Sequence, residues 1–456
     1  MPAPGNTHLP RAARGPDGCY NLFLQWLSAA DFSSGTESAE LSGRPRKDGK
    51  REARMNSLAK KIVIVLSVFV FAYVATGYVM GRSSDEKAFR ALTVYSEVLE
   101  HIQRDYVDEP NMRQVTNGSL RGLLDSLDPQ SSYMSPLEYK DYEDRLAAAF
   151  PASAGLALTK RFGYVSVISA LPDSPGQKAN LQLGDIIEKI AGFTTGQMGI
   201  DQAELLLSGT PGQVVKLSVI RRGQTEPKSV DVPLAALPPA APVEDKLPGN
   251  IAYLRIPEFN AGMTQKIRED LEQFKRQGAG KLILDLRNCA LGDDNEGIST
   301  AQLFLSSGTI TTLKGQVVSP VVFSADSSKV VWTAPVTVLI GNGTSGPAEI
   351  VAGAIADNHR GETIGDRTYG TASEQKLIPL DDGSAIILTV ANYYTPAGKE
   401  IPLEGVAPSV VVRPVADDVA AINNPYPPAP SSSPSDPVVQ KALEILQGAA
   451  GARKAA

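Results

Sequence analysis

The sequence predicts a multidomain α/β protein carried on an N-terminal transmembrane helix, and three observations predict it. Nineteen residues without a charge run from Ile62 to Met80, enough to cross most of a bilayer core of roughly 30 Å. Short β-like segments punctuated by turn residues fill 154–236. From Asn250 onward, apolar strand-like runs alternate with amphipathic helix-like ones, as in a buried sheet layered with helices.

The 456 residues suffice for two or three compact domains, and 42% hydrophobic with 21% charged residues is an ordinary globular balance. The net charge of −6 is unevenly spread. Between Arg44 and Lys61 lie eight basic and two acidic residues, whereas 62–456 carry 34 basic and 44 acidic ones. A basic run directly before an uncharged run points to a membrane rather than to nucleic acid, and puts the basic side in the cytoplasm. The bulk of the chain, beyond Arg82, is then expected in the periplasm or another extracytoplasmic space, on a single-pass anchor in the cytoplasmic membrane. The competing readings of the run are a buried core helix and a cleaved signal peptide, for which Ala75-Thr76-Gly77 is a weak cleavage site.

Residues 1–54 lack periodicity and are rich in Gly, Pro, Arg and Ser, so they are expected to be disordered or a mis-assigned extension. Met55 opens a conventional basic-then-apolar leader, which leaves Met1 and Met55 as alternative starts. The anchor occupies 55–82 and an N-terminal helical region 83–150. Cys19 and Cys289 fall on opposite sides of the anchor, which argues against an intrachain disulfide. With His8, His101 and His359 the only histidines, no metal site and no cofactor are expected.

In chain order, Phe89, Leu92, Tyr95, Leu99, Ile102 and Tyr106 form one helical stripe, which could face the core or a second copy of the chain. A second helix runs from about Met112 to Leu127 and stops at Asp128-Pro129. Within 151–236, Tyr164 to Ile168 and Val214 to Ile220 read as strands. Leu181 to Ile190 reads as a turn feeding a strand, and Asp201 as the cap of a short helix. A Pro/Ala-rich linker at 237–246 opens a core spanning 237–415. There Ile251 to Ile256, Leu282 to Leu286, Val336 to Ile340 and Ala385 to Tyr394 read as strands, and Thr264 to Gln277 and Pro347 to Asp357 as helices. Residues 416–456 read as a Pro/Ser-rich linker followed by a short helix from Val438 to Leu446.

Several motifs together resemble the carboxyl-terminal processing (tail-specific) serine proteases with an internal PDZ domain. They are Ser96-Glu-Val-Leu-Glu-His-Ile, Leu127-Asp-Pro-Gln-Ser-Ser-Tyr133, Leu284-Asp-Leu-Arg-Asn288, Glu349-Ile-Val-Ala-Gly-Ala-Ile and Tyr393-Tyr-Thr-Pro-Ala-Gly398. The PDZ likeness rests on Gly155-Leu156-Ala157-Leu158, Asp173-Ser174-Pro175, Leu183-Gly184-Asp185-Ile186-Ile187 and Gly209-Thr210-Pro211-Gly212. The resemblance implies a PDZ domain beside an α/β protease core, and a serine activated by a lysine.

The family spacing puts the nucleophile three residues before Glu349 and eleven before Asp357, and both counts fall on Gly346. The activating lysine, fourteen after Asp357, falls on Thr371; the supporting Gln four further on is Gln375. A serine needs a base to take its proton, and neither glycine nor threonine supplies the missing pair. Where the family has Asn-Pro-Gly-Gly for its oxyanion hole, this chain reads Cys289-Ala290-Leu291-Gly292, which leaves the amide geometry at Leu291 and Gly292 in question. Ser345 is the substitute nucleophile in a shifted register. Ser373, Lys376 and His359 are weighed beside it, with surface turn, strand start and helix end as the plainer readings.

The PDZ-like loop Gly155-Leu156-Ala157-Leu158 implies capture of a chain end through backbone amides, which do not depend on side-chain identity. The expected function is therefore capture of unfolded or C-terminal peptide segments, with peptide-bond hydrolysis lost or weakened. The alternatives are an active serine endopeptidase using Ser345 and a structural assembly protein docking through its N-terminal helices, the latter leaving the PDZ-like loop unexplained. A homo-oligomer through those helices is also expected; a nucleic-acid partner is not.

Overall fold

The computed structural model describes residues 57–221, 224–412 and 430–454. The proposed extension 1–54 and the first part of the Pro/Ser-rich linker lie outside them. The chain divides into two units, residues 1–99 and 100–456. Helix α1, Ser57–Asp105, accounts for the described part of the first unit and continues beyond it. Along its stripe Tyr95, Leu99 and Ile102 are half-buried, whereas Leu92 and Tyr106 are exposed. Among the described residues no helix is long and apolar enough to cross a membrane. The side chains from Ile62 to Met80 lie for the most part outside those described, but Val65, Leu66, Phe69 and Phe71 are described and exposed.

The second unit opens with helix α2, Met112–Asp125, strand β1, Ser132–Met134, and helix α3, Pro136–Ala148. Asn111 caps α2 by accepting from the Gln114 amide. The region 83–150, expected to be helical, thus also contributes a strand. β1 has only three residues, too few to show periodicity, and is held by a partner far along the chain.

An antiparallel body follows. Its strands are β2 Ala152–Ser153, β3 Leu156–Arg161, β4 Tyr164–Ala170, β5 Ile186–Ile190, β6 Phe193–Thr194, β7 Ser208–Gly209, β8 Val214–Ile220 and β9 Lys228–Pro233. The main sheet has the order β3-β4-β5-β8-β9, which leaves β3 on an edge; β6 pairs with β5, and β2 with β7. Helices α4, Pro175–Lys178, and α5, Ile200–Leu206, complete it. Leu158, Val165, Val167, Ile187, Leu217 and Val219 pack with Ala203 and Leu207 in one core. Gly199, not Asp201, caps α5; Asp201 sits in the first turn, where a carboxylate still suits the helix dipole. Gly155 has φ +67°, and a Cβ there would lie 2.6 Å from Ser174 Cβ, so only glycine fits at the entry to β3.

The remaining strands form two sheets. β10 Val243–Leu247, β11 Ile251–Arg255, β12 Lys281–Asp285, β15 Val336–Ile340, β16 Glu362–Gly365 and β19 Val410–Val411 lie in the order β10-β11-β12-β15-β16-β19. All pairs are parallel except β10 with β11. Helices α6 Met263–Arg276, α7 Asp294–Gln302 and α8 Pro347–Asp357 bury Ile267, Phe274, Ala301 and Ile355 against one face, which presents Leu254, Leu284 and Val338. Helix α9, Pro437–Lys454, buries Val439, Ala442 and Leu446 against the other face, which presents Tyr253, Ile283 and Leu339. Burial on both faces is why these strands read as continuous apolar runs. It also means that the C-terminal helix, set apart in the sequence as a tail, is one layer of the core.

The last sheet joins β13 Thr309–Lys314, β14 Val321–Ser324, β17 Ser373–Pro379 and β18 Ala385–Tyr394 to β1 in the order β1-β18-β13-β14, with β17 also on β18. Ser132 pairs with Ile387, which carries the 127–133 segment to the edge of the site.

Candidate active site

The site lies where β15 turns into α8. Thr344 ties this turn to the neighbouring strand, donating to the Leu286 carbonyl at 2.8 Å and accepting from the Gly341 amide at 3.0 Å. The Ser345 amide donates to the Cys289 carbonyl at 2.9 Å. Gly346 follows as the N-cap of α8 with φ +56° and ψ −122°, Pro347 takes the first helical position and Glu349 the third. A sharp strand-to-helix turn with a residue in this strained region is the geometry that lifts a nucleophile out of a sheet. A Cβ built on Gly346 would meet only Thr371 Oγ1 within 4 Å, at 3.9 Å. The elbow is present, and it has room for a side chain.

Glu349 holds the facing segment. It is fully buried and accepts from the Gly346 amide at 3.0 Å, Thr368 Oγ1 at 2.5 Å, the Gly370 amide at 2.7 Å and the Thr371 amide at 2.8 Å. Burial pushes its carboxyl up to about 7, against the pull of these four donors. Its lone pairs are occupied by groups that position the backbone, and none by the Ser345 hydroxyl.

Ser345 is 1% exposed, and its Oγ lies 2.5 Å from Thr371 Oγ1. Thr371 Oγ1 also accepts from the Gly346 amide at 3.1 Å. Among the described residues no amine or imidazole is hydrogen-bonded to either hydroxyl. Gln375 donates to Ser373 Oγ at 2.9 Å, and Ser373 Oγ lies 2.9 Å from both Gln130 Oε1 and the Thr371 carbonyl, to either of which its one proton can be given. Gln130 Nε2 closes the ring on the Thr371 carbonyl at 3.0 Å. The only sequence signal for Gln130 is its place in the Leu127-Asp-Pro-Gln motif; its role in the site depends on the pairing of β1 with β18.

On the opposite wall, the Phe259 amide donates to the Leu291 carbonyl and the Asp293 amide to the Phe259 carbonyl, at 2.8 and 2.9 Å. Gly292 has φ +128°, and a Cβ there would come within 2.3 Å of the Phe259 carbonyl oxygen. Leu291 does not have a positive φ. The glycine freedom this turn needs is therefore required at Gly292, where the chain supplies it, and the leucine is accommodated. Ala290 and Leu291 share a cavity of about 200 Å³ with Ser345, Thr371 and Gln375, closed on its far side by Leu158 of β3 and by α5. Gly155 and Leu156 line an adjoining cavity of about 350 Å³.

Residues 250–412 match the profile of peptidase family S41. Over 366 residues the chain is 30% identical to a carboxy-terminal-processing protease of Bartonella bacilliformis, covering 78% of this chain and 83% of that protein. The chain belongs to the carboxy-terminal-processing protease family. It is also 26% identical over 365 residues to the carboxy-terminal processing protease CtpA of Bacillus subtilis, covering 79% of this chain and 77% of that one. A photosystem II D1 C-terminal processing protease superposes with a TM-score of 0.58 at 25% identity, over 71% of this chain and 93% of that chain.

Within this member of the carboxy-terminal-processing protease family the residues singled out by spacing meet in one place: Gly346 at the elbow, Thr371 opposite it and Gln375 in the same cavity. Of the other residues weighed, Ser373 belongs to the supporting ring. Lys376 is exposed on β17, and His359 lines a separate cavity at the far end of α8 with Arg360 and Leu446. His101 pairs with Asp105 at 2.7 Å on α1.

Proposed function

We propose that this family member captures peptide segments, including chain ends, and has lost or greatly weakened peptide-bond hydrolysis. The single observation that carries the reading is the contact of Ser345 Oγ with Thr371 Oγ1 beside an elbow occupied by glycine. A hydroxyl cannot deprotonate another hydroxyl near neutral pH, and the Glu349 carboxyl behind the pair, pushed up to about 7, is committed to four other donors. Capture needs no such base. In the PDZ-like reading of 151–236, an extended peptide adds to the edge strand β3, with its end at Gly155; Leu156 to Leu158, expected as a loop, are the first residues of that strand.

The competing reading, an endopeptidase using Ser345 in a shifted site, draws on the place of Ser345 in the cavity with Leu291 and Gln375. Incubating the full-length protein with unfolded substrates bearing apolar C-termini separates the two. The expected result is no cleavage above background, with binding of a C-terminal peptide weakened when its carboxylate is amidated. Cleavage that disappears in Ser345→Ala would overturn the capture reading.

The same proposal places the protein on a membrane. The uncharged run from Ile62 to Met80, its basic N-terminal flank and the exposed Val65, Leu66, Phe69 and Phe71 support a single-pass anchor, with the site outside the cytoplasm. The half-buried stripe of Tyr95, Leu99 and Ile102 suits association of copies through α1. Carbonate extraction of membranes from producing cells tests the anchor; release of the intact chain into the soluble fraction counts against it.

A further inference from the structure

Capture leaves open which chain ends are captured, and the charges of the groove bear on it. The two cavities adjoin: Leu158, Glu204 and Leu291 line both. They form a groove between the edge strand β3 and helix α5 that reaches from Gly155 to Ser345 and Thr371. Its charged lining residues are Asp201, Glu204 and Glu258, all acidic. Glu258 is satisfied by the Ala240 amide at 2.8 Å and Asn260 Nδ2 at 2.7 Å. Asp201 and Glu204 form no ion pair among the described residues. The protein packed around Glu204, with Asp201 beside it, pushes its carboxyl up to about 7, although the residue still opens to the cleft. Two carboxyls without a cationic partner in a groove meant for an anionic chain end are unfavourable unless the ligand brings a positive charge. Apolar side chains on the wall include Leu156, Ile168, Leu171 and Leu207, and the neutral polar residues lie mainly toward Ser345, Thr371 and Gln375.

We propose that the groove selects peptide ends carrying a lysine or arginine close to the terminus, held by Asp201 and Glu204 while apolar neighbours fill the wall. In an extended peptide on β3, the last residue and the third from the end point the same way. The third from the end is therefore the position assigned to the basic side chain. This rests on the capture reading.

The test uses the full-length protein in detergent micelles and fluorescence anisotropy with three ten-residue peptides. They share an apolar last residue and a free carboxylate and differ only at the third position from the end, which is Lys, Gln or Glu. The Lys peptide is expected to bind about tenfold more tightly than the Glu peptide, with the Gln peptide between. In the Asp201→Asn, Glu204→Gln double variant the spread should fall below about twofold, while the Gln peptide, its carboxylate relieved of two acidic neighbours, binds at least as tightly and so reports an intact groove. Equal affinities, a preference for Glu, or a Lys preference that survives in the double variant would each overturn the charge selection and leave capture standing. Failure of all three peptides to bind would overturn capture itself.

Discussion

The hydroxyl oxygens of Ser345 and Thr371 lie 2.5 Å apart, and each is the other's side-chain partner in the turn before α8. This pair occupies the ground where the family's serine and lysine would meet, and it determines what substitutions there should do.

Thr371→Val removes the partner of a buried hydroxyl. The Gly346 amide keeps Glu349, so Ser345 Oγ alone is stranded. The expected loss is about 1–3 kcal/mol of unfolding free energy, read by urea denaturation, with no peptidase activity gained. Gained activity would mean that the threonine had been restraining a competent serine.

Gly346→Ser with Thr371→Lys should return a nucleophile and a base to the elbow. The Cβ has space, with its nearest neighbour 3.9 Å away. Cleavage of an unfolded substrate is expected from the double variant and from neither single one. The serine variant should be less stable by about 1–3 kcal/mol, because an L side chain is strained at this φ.

Glu349 sets a pH dependence. Its carboxyl is raised from an ordinary value of 4.5 to about 7 in the folded protein. Between those values the unfolded chain has released a proton that the folded chain retains, so this group's contribution to stability declines as pH rises from about 4.5 to 7 and is level above. Glu349→Gln should remove this contribution, so wild-type stability falls relative to that of the variant as pH rises from about 4.5 to 7. A wild-type to variant difference that grows with pH over the same interval would contradict the assignment.

The turn at 291–292 separates its two residues. Gly292→Ala meets the Phe259 carbonyl and should cost at least about 2 kcal/mol. Leu291→Gly meets no conformational demand and should cost about 1 kcal/mol in backbone freedom plus whatever the leucine contributes to the cavity wall. Chemical denaturation of the two variants checks the order.

How far the sequence carried depends on how local the determinants are. Strand β15 and helices α6 and α8 lie within about one residue of their expected bounds, because a two-sided apolar run and a Gly-Pro-x-Glu start are written in adjacent residues. The three residues of β1 and the β13–β14 hairpin were not legible, and helix α3 was expected only as part of the helical region 83–150. β1 exists only because β18 pairs with it, and no pattern within Ser132–Met134 announces a partner at 385–387. The site divides in the same way. The emptied positions Gly346 and Thr371 follow from spacing alone, whereas the direct contact of Ser345 with Thr371 and the bracing by Gln130 require three distant segments to meet.

The open elbow at Gly346 bears on the history open to this chain. Glycine takes φ +56° without the steric cost that a serine bears there, so exchanging serine for glycine relaxes the turn while abolishing its chemistry. The reverse step runs uphill: it restores strain first and yields nothing until a base also stands at position 371. On the capture reading neither single substitution is rewarded, so a return to peptidase activity faces a valley two mutations wide. Peptide selection in the groove can meanwhile drift under its own pressures.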